Sequence, residues 1–201
     1  ILKAVIMLAY GQLTSDPALV DEASAIFNEI GSMEVVKDTV PGRQCFASTK
    51  FVTGDFTDCL RIFDTIEEFD KTDEFNYNKA MALANLERWA EAERYFLKVQ
   101  NEYYTKEIFY TSWLCRCYIK NRKPELAYKW YEEAQQAEDA KTLLQIIAND
   151  CYHATFYYYS MKAYDLLSKV EDDPTIREGM IASAIGVFRG VLSRKEQPDK
   201  V

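Results

Sequence analysis

Two short spacings bring metal-binding residue types together in this chain: Cys115-x-Cys117 and Cys151-x-His153. Thiolate and imidazole are ligands that zinc takes, four at a time in tetrahedral array. Both pairs fall in helix-forming sequence, where residues two apart point about 200° apart, so neither pair converges on one ion. No metal site is expected, and thiols serving as small apolar fillers account for the cysteines. A Cys–His nucleophile is the other chemistry these residue types support. His153 is the single histidine, and such catalysis needs it beside one thiol with a matching oxyanion site. Nothing in the sequence points to that constellation. There is also no glycine-rich phosphate loop and no GxSxG elbow. The carboxylates sit on polar helix faces, where solvated Asp and Glu belong. The chain reads as a non-enzyme, with no catalytic residue, no metal ligand and no cofactor expected.

The elements that carry these residues repeat. Ala23, Cys59, Ala92, Ala127 and Ser160 form one series, at steps of 36, 33, 35 and 33 residues. Phe27, Phe63, Phe96, Tyr131 and Tyr164 follow four residues later, and Ile30, Ile66, Val99, Ala134 and Leu167 three later again. A period near 34 residues with small and aromatic positions at fixed offsets is the pattern of tetratricopeptide (TPR) repeats, each a helical hairpin. The small residue allows the two helices of a hairpin to cross closely. The aromatic, one turn on, fills the space towards the neighbouring hairpin.

The expected fold is all-α: a TPR-like helical-hairpin solenoid, wound as a right-handed superhelix, with a terminal capping helix. A single fragment over 1–201 is expected, with hairpins over 1–31, 41–70, 73–102, 105–137 and 139–170 and a last helix over 174–195. In detail the helices read as Leu2–Gly11 and Ala18–Ile30, Arg43–Thr53 and Phe56–Phe69, Asp73–Leu86 and Trp89–Asn101, Lys106–Lys120 and Pro124–Ala137, Ala140–His153 and Tyr157–Val170, then Pro174–Arg194. Ser15 or Asp16 offers an N-cap ahead of Pro17, and Gly54 suits a left-handed helix C-terminus. All five prolines fall at expected helix ends.

Composition excludes several function classes. At 48% hydrophobic the chain can bury a core and is not a disordered tail. A net charge of −8 repels phosphate backbones, so nucleic-acid binding is not expected. No apolar run is long enough to span a bilayer, so no membrane insertion is expected. The apolar opening, Ile1 to Tyr10, lacks a signal peptide's charged start and cleavage site. It does not begin with Met, and the simplest reading is a piece of a longer protein. Its first helix is expected to be capped there by a preceding repeat and to be partly exposed here. Five cysteines without a pairing pattern suit a reducing, intracellular compartment.

Binding is what remains. Asp64, Glu67, Glu68, Asp70, Asp73 and Glu74 make an acidic cluster, and Arg116, Lys120, Arg122, Lys123 and Lys129 a basic one. Each reads as a solvated helix end or as a docking patch. Counting from the repeat positions, the inward sites of first helices are Gln44 and Ser48, Tyr77 and Met81, Ser112 and Arg116, and Gln145 and Asn149. That groove is mostly neutral. Arg116, Lys120, Asn149 and His153 are candidates for a weak anion-binding, partner-binding corner, with ordinary groove residues as the other reading.

Several local strings go beyond the repeat pattern. They are Pro41-Gly42-Arg43-Gln44-Cys45, Ser112-Trp113-Leu114-Cys115-Arg116-Cys117-Tyr118-Ile119, Leu144-Gln145-Ile146-Ile147-Ala148-Asn149-Asp150-Cys151-Tyr152 and Tyr158-Tyr159-Ser160-Met161-Lys162-Ala163-Tyr164-Asp165. In this order they resemble the family of intraflagellar transport protein fifty-six, the TPR subunit of the intraflagellar transport B complex. The chain departs from the family at Thr155-Phe156, where a Gly-containing turn is usual, and at Met161, where a small residue is usual. The resemblance implies a non-enzymatic scaffold in the cilium or flagellum and basal body, with a cytoplasmic pool. The implied partners are other core subunits, notably intraflagellar transport protein forty-six, and motility-related axonemal cargo. The alternative is a TPR peptide-binding adaptor, co-chaperone-like, outside cilia. Trp113 and Leu114 are expected in the core of the fourth hairpin. Asn149 and Asp150 either bind partners or hold a neighbouring segment.

Overall fold

The computed structural model describes residues 1–68, 71–134 and 139–193. The expected helix ends at Phe69, Ala137 and Arg194, together with Asp70 and Pro198, lie outside the described residues. Among the described residues every regular element is helical. The chain divides into two compact units, Ile1–Val99 and Gln100–Val201.

The first unit holds α1 (Leu2–Thr14), α2 (Pro17–Ser32), α3 (Val40–Val52), α4 (Phe56–Asp64), α5 (Asp73–Asn85) and α6 (Trp89–Phe96). The second holds a one-turn α7 (Glu102–Thr105), then α8 (Ile108–Lys120), α9 (Pro124–Ala134), α10 (Ala140–His153), α11 (Tyr157–Val170) and α12 (Pro174–Leu192). Within each unit, consecutive helices pack as TPR-like hairpins.

Helix starts follow local chemistry. Of the two candidates ahead of Pro17, Asp16 is the cap: its carboxylate accepts from the Ala18 and Leu19 amides at 3.0 and 3.4 Å. Thr39, Asp55, Thr72 and Asp173 cap α3, α4, α5 and α12 in the same way. Helix ends differ more from expectation. Helix α4 stops at Asp64, where the Thr65 hydroxyl donates back to the Ile62 carbonyl at 2.6 Å and competes with the next helical bond. Helix α6 stops at Phe96, and the chain continues in tight turns, with the Val99 amide bonded to the Phe96 carbonyl.

Ser15 takes another role. Its φ of 54° is left-handed, and Gly54, Glu87, Arg122 and Thr155 sit at 79°, 58°, 64° and 66°. Each is the turn residue of one hairpin. Its amide bonds three residues back, and the next amide bonds five back, as in Arg122 to Ile119 and Lys123 to Tyr118. This is one Schellman turn used five times. In the last four hairpins it lies five residues ahead of the small position.

The small series is the tightest part of the core. Ala23, Cys59, Ala92, Ala127 and Ser160 are all fully buried. The aromatic series reaches outwards from it. Phe63 of α4 meets Phe75 of α5 edge-on, with ring centroids 5.5 Å apart, and Phe27 packs with Ala4 and Cys45. Tyr131 and Tyr164 stay half-buried. Helices α11 and α12 pair so closely that only glycine fits opposite two rings. A Cβ on Gly179 would come within 2.5 Å of the Tyr164 ring, and one on Gly186 within 2.3 Å of the Tyr157 ring. Between these contacts the buried Ser160 hydroxyl donates to the Ala148 carbonyl of α10 and shares a 2.8 Å hydrogen bond with Ser183 of α12.

Candidate functional site

The four expected binding residues lie on α8 and α10, and their bonds run in different directions. Arg116 donates through Nε to Asp150 Oδ2 at 2.8 Å and lies 5.0 Å from the Trp113 ring centre. Asn149 faces α11, where its Oδ1 accepts from the Tyr164 hydroxyl at 2.6 Å. Lys120 and His153 are exposed, and His153 meets the Tyr152 ring edge-on. Of the expected groove residues, Gln44, Ser48, Tyr77, Met81, Ser112, Arg116 and Gln145 are half-buried and Asn149 is exposed.

The thiols are core atoms. Cys45, Cys59, Cys115, Cys117 and Cys151 are buried and form no disulfide. Burial, with the Asp55 carboxylate adding to it, pushes Cys59 up to about 12. Burial beside Asp150 does the same to Cys151, up to about 12, and Cys45 and Cys115 also move up. Such thiols are protonated and poor nucleophiles at neutral pH. Among the described residues no three His, Cys, Asp or Glu side chains gather as a metal site. No described helix is long and apolar enough to cross a membrane.

The acidic cluster hides an arrangement the sequence did not suggest. Lys79 of α5 is buried and donates to Asp64 Oδ1 and Glu67 Oε2, both at 2.8 Å. Its Nζ also lies 4.8 Å from the Tyr95 ring centre, and the Tyr95 hydroxyl donates to Glu67. Burial works against the Lys79 charge, but the bonds to Asp64, Glu67 and Tyr95 outweigh it and lift Lys79 to about 12. The Lys79 bond, followed by the Tyr95 bond, holds Glu67 below the usual carboxylate range. A lysine four residues from both Phe75 and Leu83 lies on their buried stripe, and that spacing is the signal that could have revealed it. The group ties α4, α5 and α6 together.

The second unit carries an open groove of about 960 Å³. The turn residues Arg122 and Thr155, the aromatic start of α11 and one side of α12 line it.

Comparison with known proteins decides the family. A family model described as "Intraflagellar transport protein 56" matches residues 1–201. The chain belongs to this family. It is 32% identical to the "Intraflagellar transport protein 56 homolog" of Caenorhabditis elegans, over 98% of this chain and 34% of that relative, so it spans about a third of the relative's length. The intraflagellar transport 56 family is one of cilium-associated transport components and not of enzymes.

The strings that carried the resemblance have structural work within the family fold. A Cβ on Gly42 would collide with the Val36 carbonyl, so Pro41-Gly42 allows the chain to double back onto α3. Arg43 donates to Thr65 and Asp38, both at 3.0 Å. Leu114 is fully buried and Trp113 half-buried. Asn149 and Asp150 bond to Tyr164 and Arg116 on neighbouring helices.

Proposed function

We propose that this chain is a non-enzymatic docking segment of an intraflagellar transport B subunit. On this reading it binds other core subunits, notably intraflagellar transport protein forty-six, and helps carry motility-related axonemal cargo. It works in the cilium or flagellum and at the basal body, drawing on a cytoplasmic pool. The observation that carries the reading is the pair of bare apolar stripes on α1 and α12. Leu2, Val5, Ile6 and Leu13 are 72%, 47%, 59% and 83% exposed, and Ile181, Ile185, Phe188 and Leu192 are 56%, 48%, 63% and 71% exposed. Stripes of this size are what assembly covers. The 1–201 span acts in this reading as one TPR-like module. On this reading Arg116, Lys120, Asn149 and His153 help to orient a partner through charge and hydrogen bonding. A grip on an acidic peptide tail through Arg116 is less favoured, because its Nε is already bonded to Asp150.

Co-elution of the purified chain with recombinant core subunits on size exclusion tests this. A stable complex, weakened by Phe188→Glu or Ile6→Glu, is expected. No complex with any core subunit would overturn the reading.

A further inference from the structure

Among the described residues of the second unit, two cationic side chains are left over. Arg122 projects from its left-handed turn and Arg189 from α12, and both line the 960 Å³ groove. Both are exposed, and among the described residues neither side chain has an ion pair or hydrogen bond. Glu125 is the one acidic residue among the described lining. The groove therefore carries excess positive charge on a chain whose net charge is −8. Tyr152, Phe156, Tyr157 and Ile185 supply the apolar and aromatic part of its walls. Ile185 belongs to the exposed stripe of α12, so the groove and the stripe are continuous.

We infer that this groove docks a partner-protein segment in which acidic and apolar side chains are interleaved. Carboxylates pair with the Arg122 and Arg189 guanidinium groups, which bind them in charge-assisted, forked hydrogen bonds. Apolar side chains lie on the tyrosine faces and on Ile185, the kind of aromatic wall that anchors interfaces. Two arginines on an acidic chain are too few for a phosphate backbone. The inference rests on the docking role proposed above and assigns one surface to it.

A random-peptide display library, selected on the whole chain, tests it. Enriched peptides should combine Asp or Glu with Leu, Ile, Phe or Met. Synthesised and labelled, they should bind with an affinity that falls as salt rises. Arg122→Glu with Arg189→Glu should weaken them by at least about tenfold, and Ile185→Ser should weaken them while the charges remain. All three side chains are exposed, so circular dichroism should match the parent chain. No enrichment, enriched peptides without carboxylates, or equal binding to the double variant would each overturn the inference. Co-elution with core subunits is scored separately: a chain that still assembles but selects no acidic peptide loses the groove alone.

Discussion

Lys79 makes an asymmetric prediction. Its side chain is 5% exposed, whereas those of its partners Asp64 and Glu67 are 66% and 41% exposed. Removing the carboxylates and removing the lysine therefore have different consequences. In Asp64→Asn with Glu67→Gln, a buried ammonium loses both counter-charges. Stranding a buried charge costs about 3–5 kcal/mol. The amide oxygens still accept hydrogen bonds and the Tyr95 ring still faces Nζ, so the lower end, about 3 kcal/mol, is expected. Lys79→Met keeps the apolar stem and leaves two carboxylates that water reaches, so it costs about 1 kcal/mol or less. Urea unfolding at neutral pH, extrapolated linearly and checked for equal m-values, reads both numbers. The pH dependence gives a second readout. Glu67 has a lowered pKa, so its contribution is complete above the unfolded value of about 4.5 and fades as the pH falls through the folded value. Lys79 has a raised pKa, so its contribution is complete below 10.5 and is lost as the pH rises through about 12. The gap between parent and double variant should hold across neutral pH and narrow in acid. A Lys79→Met variant as unstable as the double variant would refute the reasoning.

Four further outcomes are expected. Thr155→Gly should raise stability by about 0.5–1 kcal/mol, because a left-handed L-residue costs about 1–2 kcal/mol and glycine gives back about 0.4–1 through the unfolded chain; a lower urea midpoint would contradict this. Gly186→Ala should destabilise by about 1–3 kcal/mol through its clash with Tyr157, despite a helix-propensity gain of about 1 kcal/mol, and a raised melting temperature would show that the ring yields. Thiol titration of the native chain at pH 8 should be slow at all five buried cysteines and fast in urea; one fast native thiol would place a cysteine at the surface. The bare stripe on α1 should produce concentration-dependent self-association in sedimentation runs, reduced by Ile6→Glu, and a monomer at every concentration would count against it.

What the sequence made legible was whatever packing restricts by residue type. A close helix crossing admits only small side chains, so Ala23, Cys59, Ala92, Ala127 and Ser160 could be read as one series, and all five are fully buried. The hairpin turns were not legible in the same way. Gly54 alone announces a left-handed position by its type. Ser15, Glu87, Arg122 and Thr155 adopt the same conformation because the two Schellman bonds and the flanking helices impose it. Lys79 was hidden by the opposite effect, since lysine is expected at the surface. Only its register with Phe75 and Leu83, and the carboxylates that α4 and the turn after it bring near, make it a core residue. The binding corner ran into a similar limit, because spacing put Arg116 and Asn149 on suitable faces but could not show that Asp150 and Tyr164 engage them.

The strings that carried the resemblance and the surface proposed for docking are therefore largely different sets of residues, meeting at residues such as Arg116, Asn149 and the groove's Tyr152. Gly42, Asp150 and Cys151 are held to their types by a carbonyl, a guanidinium and a packed core. Moving seven residues along α11, from Tyr164 to Tyr157, moves seven the opposite way along α12, from Gly179 to Gly186, with Ser160 and Ser183 bonded between them. Such pairings specify how helices meet and are spent in doing so. A docking module has to recognise its partner with side chains that the fold leaves unpaired. On the docking role proposed above, those are the apolar stripes of α1 and α12 and the two arginines of the groove, Arg122 in a turn and Arg189 on the last helix. None of these lies in the strings that carried the resemblance. Swapping them between family members should move partner preference while leaving the hairpins intact, whereas swapping the strings should perturb folding first.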